Sequence, residues 1–117
     1  MLITIAYGLA IVAIGVRFLI APRVAAAGYG VPAKEDGDPA YLTVKGVRDT
    51  CVGLLGLILV AFAGHFAVGL FMLVIGLAPL ADAVIVLCNG GTKAIAFGVH
   101  VSTALLLLVD AALLFAS

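Results

Sequence analysis

Hydrophobic residues occur along the chain in four long blocks, at about 2–21, 41–63, 66–88 and 94–116. Each block has about 20 residues, and a helix of that length, rising 1.5 Å per residue, crosses a hydrocarbon core about 30 Å thick. The blocks lack period-2 alternation, and only helices and closed barrels satisfy their own backbone groups in lipid. The pattern therefore predicts an all-α membrane protein, with four transmembrane helices bundled in a single domain over residues 1–117.

The connections between the blocks differ in length, and 22–39 is the only long one. Asp38 followed by Pro39 is typical of an N-cap and a first-turn proline, and predicts the start of the second helix. The acidic run 35–38 is interpreted as a turn, because calcium needs more oxygen ligands than this run offers. Thr92, after two glycines, is the predicted cap of the fourth helix.

Composition supports the membrane assignment. The chain of 117 residues is 66% hydrophobic, with a mean hydropathy of +1.38, whereas soluble domains are about 45–50% apolar. The net charge is zero and no basic patch is present, so we expect no nucleic-acid partner. Cys51 and Cys88 lie in different blocks without metal-type or redox spacing and are interpreted as inert apolar thiols. We expect no metal and no cofactor.

Basic residues in the connections predict the orientation. Arg23, Lys34 and Lys93 flank the first and third connections. The positive-inside rule then places loops 22–40 and 89–93 in the cytoplasm and both termini outside, in a multi-pass protein of the cell membrane. The first block is not expected to be a cleaved signal, because no basic segment precedes it and Arg17 interrupts it.

Charged and titratable residues interrupt all four blocks at a similar depth on the predicted cytoplasmic side. They are Arg17, Lys45, Arg48, Asp49, Asp82 and His100. At about 100° per residue, Lys45, Arg48 and Asp49 share one face of the second helix. A charge at the bilayer centre costs about 2.5–3.5 kcal/mol on insertion scales. The shared layer therefore indicates either a functional site or a structural ion-pair network, and intramembrane ionisable groups favour the former.

Small residues predict which helix faces pack together. Arg17 lies on a narrow alanine face of the first helix, opposite Gly8 and Gly15, and we expect it to point inward rather than snorkel to the interface. Gly46 and Gly53 lie on a flank of the second helix suited to close helix contact.

Two further polar features leave alternatives open. Pro79 removes a backbone donor one turn before Asp82, where a kink would either open a cavity or simply bend the helix. Asp110 lies in the outer half of the fourth helix, where His65 or Tyr7 could be its partner. It is either a paired or protonated acid, or an outer step in a proton path with His100.

The two halves of the chain show a weak internal similarity. Segment 7–19 can be aligned with 68–80, and segment 44–55 with 96–107, which matches Arg48 with His100. Such a match indicates two repeated helical hairpins related by an axis along the membrane normal.

Several strings together resemble a known family: "RFLIAP", "AAAGYGVP", "YLTVKGVRD", "PLADAVIVL" and "GVH". They resemble the small four-helix integral membrane proteins of domain-of-unknown-function family 4267, over nearly the whole chain. That group is similar in layout to DoxX-like membrane proteins, some of which are associated with quinone or thiol redox complexes. The resemblance implies a four-helix bundle and a polar signature of Lys45, Arg48, Asp49, Asp82 and His100. It implies no particular reaction.

These features predict a pocket for a lipophilic small molecule with a polar or anionic head, near the cytoplasmic leaflet. Arg48, Lys45 and Arg17 would bind the head, and Asp49, Asp82 and His100 would act as acid and base. Isomerisation, cyclisation or hydration is expected rather than redox chemistry, because paired thiols are absent. The alternatives are a non-enzymatic accessory or assembly subunit of a membrane complex, or a small proton-coupled transporter. A homo-oligomer formed through the glycine faces is also compatible with the sequence.

Overall fold

The computed structural model describes residues 1–32 and 40–117, and all regular structure in those ranges is helical. The helices are α1 (Leu2–Ile20), α2 (Pro22–Tyr29), α3 (Ala40–Phe62), α4 (His65–Cys88) and α5 (Lys93–Ala116). The four long helices lie close to the predicted blocks. The described residues nevertheless form five helices, not four, because α2 occupies the beginning of the segment predicted as a loop.

Three of the helices are long and apolar enough to cross a membrane. These are α1, α4 and α5, with mean hydropathies of 2.2, 2.5 and 2.1. α3 is of similar length, 23 residues, but carries Lys45, Arg48 and Asp49 in its first half. By length and composition the chain is therefore of membrane type, and α3 differs from the other long helices in its charge.

α2 has clear start and stop residues. Pro22 occupies its first turn, where a missing backbone N–H removes no helical hydrogen bond. Gly30 ends it with a left-handed conformation, φ 105°, and its N–H donates to the carbonyl oxygens of Ala26 and Ala27. A Cβ on Gly30 would lie 2.8 Å from Ile95 Cγ2, so the end of α2 is packed tightly against the beginning of α5. The predicted cap at Asp38 and Pro39 lies outside the described residues.

α1 and α3 pack closely in antiparallel fashion through glycines. A Cβ on Gly15 would lie 2.7 Å from the carbonyl oxygen of Gly46, and one on Gly53 would lie 2.6 Å from that of Gly8. Real side chains do not approach a backbone that closely, so only glycine allows the two helices to come this near. On α3 this confirms the predicted packing flank of Gly46 and Gly53, whereas α1 packs on α3 through Gly8 and Gly15, the face opposite its alanine face.

α4 and α5 form the second antiparallel pair, around a buried apolar core at the end of the molecule away from α2. This core consists of Val68, Met72, Leu107, Ala111 and Leu114. The two pairs contact each other much less than their members do. The arrangement matches the predicted division into two helical hairpins and leaves space between the pairs near α2.

α5 is not a uniform α-helix. After a first turn, Lys93–Ile95, residues Ala96–Val101 form a π-helical turn, and Ser102–Ala116 is α-helical. Thr92 caps its start as predicted, because its hydroxyl accepts a hydrogen bond from Ile95 N at 3.2 Å. π turns are rare and frequently occur at functional sites, and this one contains His100.

Candidate functional site

A cavity of about 450 Å³ lies between the two helix pairs. All five helices contribute to its wall, and its volume falls in the range of about 300–1,000 Å³ typical of small-molecule sites. The lining residues are Tyr7, Ala10, Ile11, Ile14, Arg17, Phe18, Ala25, Gly28, Tyr29, Lys45, Asp49, Ala78, Pro79, Asp82, Val99, His100 and Thr103. The wall is mainly apolar, with its charged groups supplied by residues from four helices.

The cavity collects most of the predicted polar layer. Arg17, Lys45, Asp49, Asp82 and His100 all line it. Arg48 does not, and its side chain is exposed on the outside of α3. Pro79 is buried within α4 and lines the cavity one turn before Asp82. A cavity, one of the two alternatives left open at Pro79, therefore lies beside it.

Lys45 and Asp49 form an ion pair on the α3 side of the cavity. Lys45 Nζ donates to Asp49 Oδ2 at 2.8 Å, and the two side chains are 31% and 18% exposed. The ammonium also lies 4.4 Å from the ring centroid of Tyr29 and 5.0 Å from that of Phe18. Aromatic faces attract a cation at such distances. Lys45 is therefore held in place by one carboxylate and two aromatic rings.

Tyr29, at the end of α2, joins the helix pairs. Its hydroxyl donates a hydrogen bond to Asp82 Oδ2 on α4. Its ring meets those of Phe18 and His100 edge-on, with centroids 6.0 Å and 4.5 Å away. Tyr29 lies outside the three apolar spans. Burial, followed by the hydrogen bond to Asp82, raises the pKa of its phenol well above the ordinary value. The hydroxyl therefore stays protonated and remains a donor.

His100 occupies the π turn of α5 and is 3% exposed. Its Nε2 lies 2.9 Å from the backbone carbonyl oxygen of Tyr29. α2 thus contacts the imidazole twice, through the ring of Tyr29 and through its backbone. These contacts orient His100 at the wall of the cavity.

Arg17 lies in the last turn of α1 and lines the cavity. Its Nη1 is 4.0 Å from the position that a Cβ on Gly28 would occupy, so the guanidinium extends along α2. Arg17 was predicted to point inward, and it does reach the cavity wall. Much of its side chain is nevertheless exposed. Within residues 1–32 and 40–117 it forms no ion pair, in contrast to Lys45.

Asp110 lies apart from the cavity, among the buried residues of α5. Thr4 Oγ1 donates to its Oδ2 at 2.6 Å, and Thr4 and Asp110 are 0% and 2% exposed. The predicted partners, His65 and Tyr7, are wrong: His65 Nδ1 instead lies 2.6 Å from Ser117 Oγ. The carboxylate of Asp110 therefore binds the hydroxyl of Thr4 on α1.

Comparison with known proteins gives the family. No curated protein and no solved structure matches the chain. A family model described as "Domain of unknown function (DUF4267)" matches residues 8–114, a range that includes every residue of the cavity wall except Tyr7. The chain belongs to the DUF4267 family.

Proposed function

We propose that this protein is a four-helix integral membrane protein whose cavity binds a lipophilic small molecule with a polar or anionic head, near the cytoplasmic leaflet. The observation that carries the proposal is the cavity of about 450 Å³, with mainly apolar walls and ionisable groups from four helices. A largely apolar pocket with a few converging polar groups is the usual form of a small-molecule site.

The proposal includes α3 as the fourth membrane-crossing helix. Its glycine contacts hold it along α1, which is apolar enough to cross. Two of its three charges, Lys45 and Asp49, are paired with each other at the cavity wall. Pairing reduces the free energy of placing charges within the membrane, which supports a crossing α3 despite its composition.

The chemistry of the wall supports an anionic head. Lys45 is already paired with Asp49, whereas Arg17 has no acidic partner in the described part of the chain. A guanidinium binds carboxylate or phosphate oxygens with two parallel hydrogen bonds. Arg17 would therefore hold the head group, Lys45 would add positive charge, and the apolar residues of α1 and α5 would surround the tail.

The remaining polar groups support acid–base chemistry on the ligand. His100 and Asp82 line the cavity, and Tyr29 contacts both of them. Imidazole and carboxylate groups at one wall can take up and return a proton within a single turnover. Isomerisation, cyclisation or hydration would suit this set, with Asp49 as a further carboxylate held by Lys45.

The test compares dodecanoate with dodecanol, which share a tail and differ in charge. We expect Arg17→Ala to weaken dodecanoate binding about tenfold or more, because hydrogen bonds to charged groups contribute about 1.5–3 kcal/mol. Dodecanol binding should change little. Arg48→Ala is the matched control, since it removes an arginine outside the cavity. Unchanged binding in both Arg17→Ala and His100→Ala, or an equal loss in Arg48→Ala, would contradict the proposal.

Native mass spectrometry of gently extracted protein would identify the natural ligand. We expect a discrete small-molecule adduct on the wild-type protein that is absent from Arg17→Ala and His100→Ala. The same spectrum reports any second copy or partner chain. A clean mass without an adduct, within a stable complex with another protein, would contradict the proposed pocket.

A second function, an accessory or assembly subunit, is favoured by one observation. The Lys45–Asp49 and Tyr29–Asp82 contacts join protein groups within a helix and between helices, as expected of a structural network that fixes helix register. Asp49→Asn separates the two functions. Collapse of the folded yield in detergent would favour the structural network, and a well-folded protein with altered dodecanoate affinity, as expected when Lys45 loses its paired carboxylate, would favour the pocket.

A further inference from the structure

The contact between His100 and α2 determines which nitrogen of the imidazole carries a proton. His100 Nε2 lies 2.9 Å from the carbonyl oxygen of Tyr29. A carbonyl oxygen can only accept a hydrogen bond, so Nε2 must be the donor. In a neutral imidazole the other nitrogen, Nδ1, then has a free lone pair.

Nδ1 of His100 is accessible from the cavity. No residue of the described ranges forms a hydrogen bond with it. Yet within those ranges no buried side-chain nitrogen or oxygen lacks a partner. Nδ1 must therefore touch open space even though His100 is only 3% exposed, and the open space beside His100 is the cavity.

We propose that Nδ1 of His100 is the atom that accepts a proton from the bound ligand, with the backbone carbonyl of Tyr29 holding the imidazole in its Nε2–H tautomer. This inference rests on the proposed function and adds the reacting atom, a positioning residue and a ligand class. The ligand is a lipophilic molecule with an O–H or activated C–H group beside its head. Tyr29 is a positioning residue because it acts through His100.

The proton transfer is balanced without a further reactant. The O–H or C–H bond of the ligand breaks, its electron pair stays on the ligand, and an N–H bond forms at Nδ1. The imidazolium so formed keeps its Nε2–H bond to the Tyr29 carbonyl. His100 then returns the proton to another atom of the ligand, as isomerisation or cyclisation requires. The Asp82 carboxylate, bonded to the Tyr29 hydroxyl, lies on the adjacent helix where it favours the transient positive charge.

The tautomer can be measured without a ligand. Nitrogen-15 NMR of histidine-labelled protein in micelles at neutral pH distinguishes Nε2–H, Nδ1–H and doubly protonated rings. We expect the Nε2–H tautomer at His100 in the wild type and in Tyr29→Phe, which keeps the carbonyl. An Nδ1–H tautomer or an imidazolium in the wild type would overturn the proposal.

Two glycine variants test whether the carbonyl of Tyr29 does the positioning. Gly30→Val should mix the tautomers, because Gly30 has φ 105° and its Cβ position lies 2.8 Å from Ile95, so a side chain displaces the end of α2. Gly90→Val is the matched control, since Gly90 also has a positive φ, 78°, but open space around its Cβ position. A pure Nε2–H signal in Gly30→Val, or equal mixing in both variants, would overturn the positioning role.

Alkylation by N-dodecyl bromoacetamide tests the accessible atom, in a Cys51→Ser/Cys88→Ser background. The lone pair of Nδ1 forms a bond to the methylene carbon while the carbon–bromine bond breaks and bromide leaves. We expect His100 to react on the order of tenfold faster than His65, because the cavity holds the reagent beside Nδ1. Water-soluble bromoacetamide should prefer the exposed His65.

Acid hydrolysis and comparison with the two authentic N-alkyl histidines identify the modified atom. Attachment at Nδ1 of His100 supports the proposal. Attachment at Nε2, or no His100 adduct, overturns it. If dodecanoate binds but the tautomer differs, this inference fails and the pocket stands. If dodecanoate does not bind in the Nε2–H protein, the proposed function fails instead.

Discussion

Two carboxylates in apolar helices have different surroundings. Asp110 is 2% exposed, accepts a hydrogen bond from Thr4, which is 0% exposed, and lines a separate pocket beside His65. Asp82 accepts a hydrogen bond from Tyr29 but lines an open cavity beside His100. A buried charged residue alone does not indicate a site. The cavity beside Asp82 differs in the number of ionisable groups that line it, which come from four helices.

The largest expected effect on stability is at the Thr4–Asp110 pair. Asp110→Ala should lower the free energy of unfolding by about 1–3 kcal/mol, because the Thr4 hydroxyl is left buried without an acceptor. Unfolding in detergent micelles, followed by circular dichroism, measures the loss. Dodecanoate binding by the folded fraction should be unchanged.

A double variant sharpens this expectation. Replacing both partners, as in Thr4→Val with Asp110→Leu, removes the unsatisfied hydroxyl as well and should restore most of the lost stability. A double variant as unstable as Asp110→Ala would mean that the pair contributes more than one hydrogen bond. Lost binding at normal stability would place Asp110 with the cavity residues.

A smaller loss of stability is expected at Asp82. Asp82→Ala should lower the free energy of unfolding by about 0.5–1.5 kcal/mol, because the Tyr29 hydroxyl faces the cavity and can bind water instead. The same detergent titration measures it, with dodecanoate binding recorded in parallel. We expect Asp82→Ala to change ligand binding and Asp110→Ala to leave it intact. A greater loss at position 82 than at 110 would remove the distinction between the two carboxylates.

Alkaline pH should weaken the hydrogen bond between Tyr29 and Asp82. The pKa of Tyr29 is raised in the folded protein, whereas an unfolded tyrosine titrates near about pH 10. The folded state therefore holds the phenolic proton more tightly, and its contribution to stability is complete below about pH 10 and lost as the pH rises further. A pH series of detergent unfolding should show this decline in the wild type. In Tyr29→Phe the decline should be smaller, and equal declines in both would contradict the assignment.

The smallest effect is expected at Arg48. Its side chain is exposed and lies outside the cavity, so Arg48→Ala should change stability by less than about 0.5 kcal/mol. Dodecanoate binding should also stay at the wild-type level. Paired titrations of Arg48→Ala and Arg17→Ala in one experiment measure the contrast, and a loss of binding at Arg48 alone would reverse the roles of the two arginines.

The sequence predicted most of the ionisable residues of the cavity wall, because depth and helical angle are both readable from the chain. Asp82 and His100 were found from their depth alone. Helical angles alone do not separate Arg48 from Asp49 as wall residues. Around the axis of α3, Arg48 lies about 60° to one side of Lys45, and Asp49 lies about 40° to the other side. The cavity lies on the Asp49 side. Which flank of a polar face turns inward depends on the neighbouring helices, and the sequence of one helix does not contain that information.

Tyr29 was missed for a different reason. Segment 22–29 has only eight residues and is rich in alanine, unlike a membrane-spanning helix, so the sequence predicts a loop there. The local signals were present, because Pro22 and Gly30 are placed as the first-turn proline and terminal glycine of a short helix. No local pattern predicts that α2 packs across both helix pairs. This packing brings Tyr29 into contact with both Asp82 and His100.

The π turn that carries His100 makes the direction of this side chain depend on the length of α5. Such a turn contains one more residue than the α-helical turn it replaces. At the level of the gene, one codon gained or lost separates the two forms, and the sequence on either side need not change. An α5 without that codon would rotate the two parts of the helix relative to each other by about 100°. Loss of one residue here would therefore turn His100 away from its present neighbours, even with every charged residue kept.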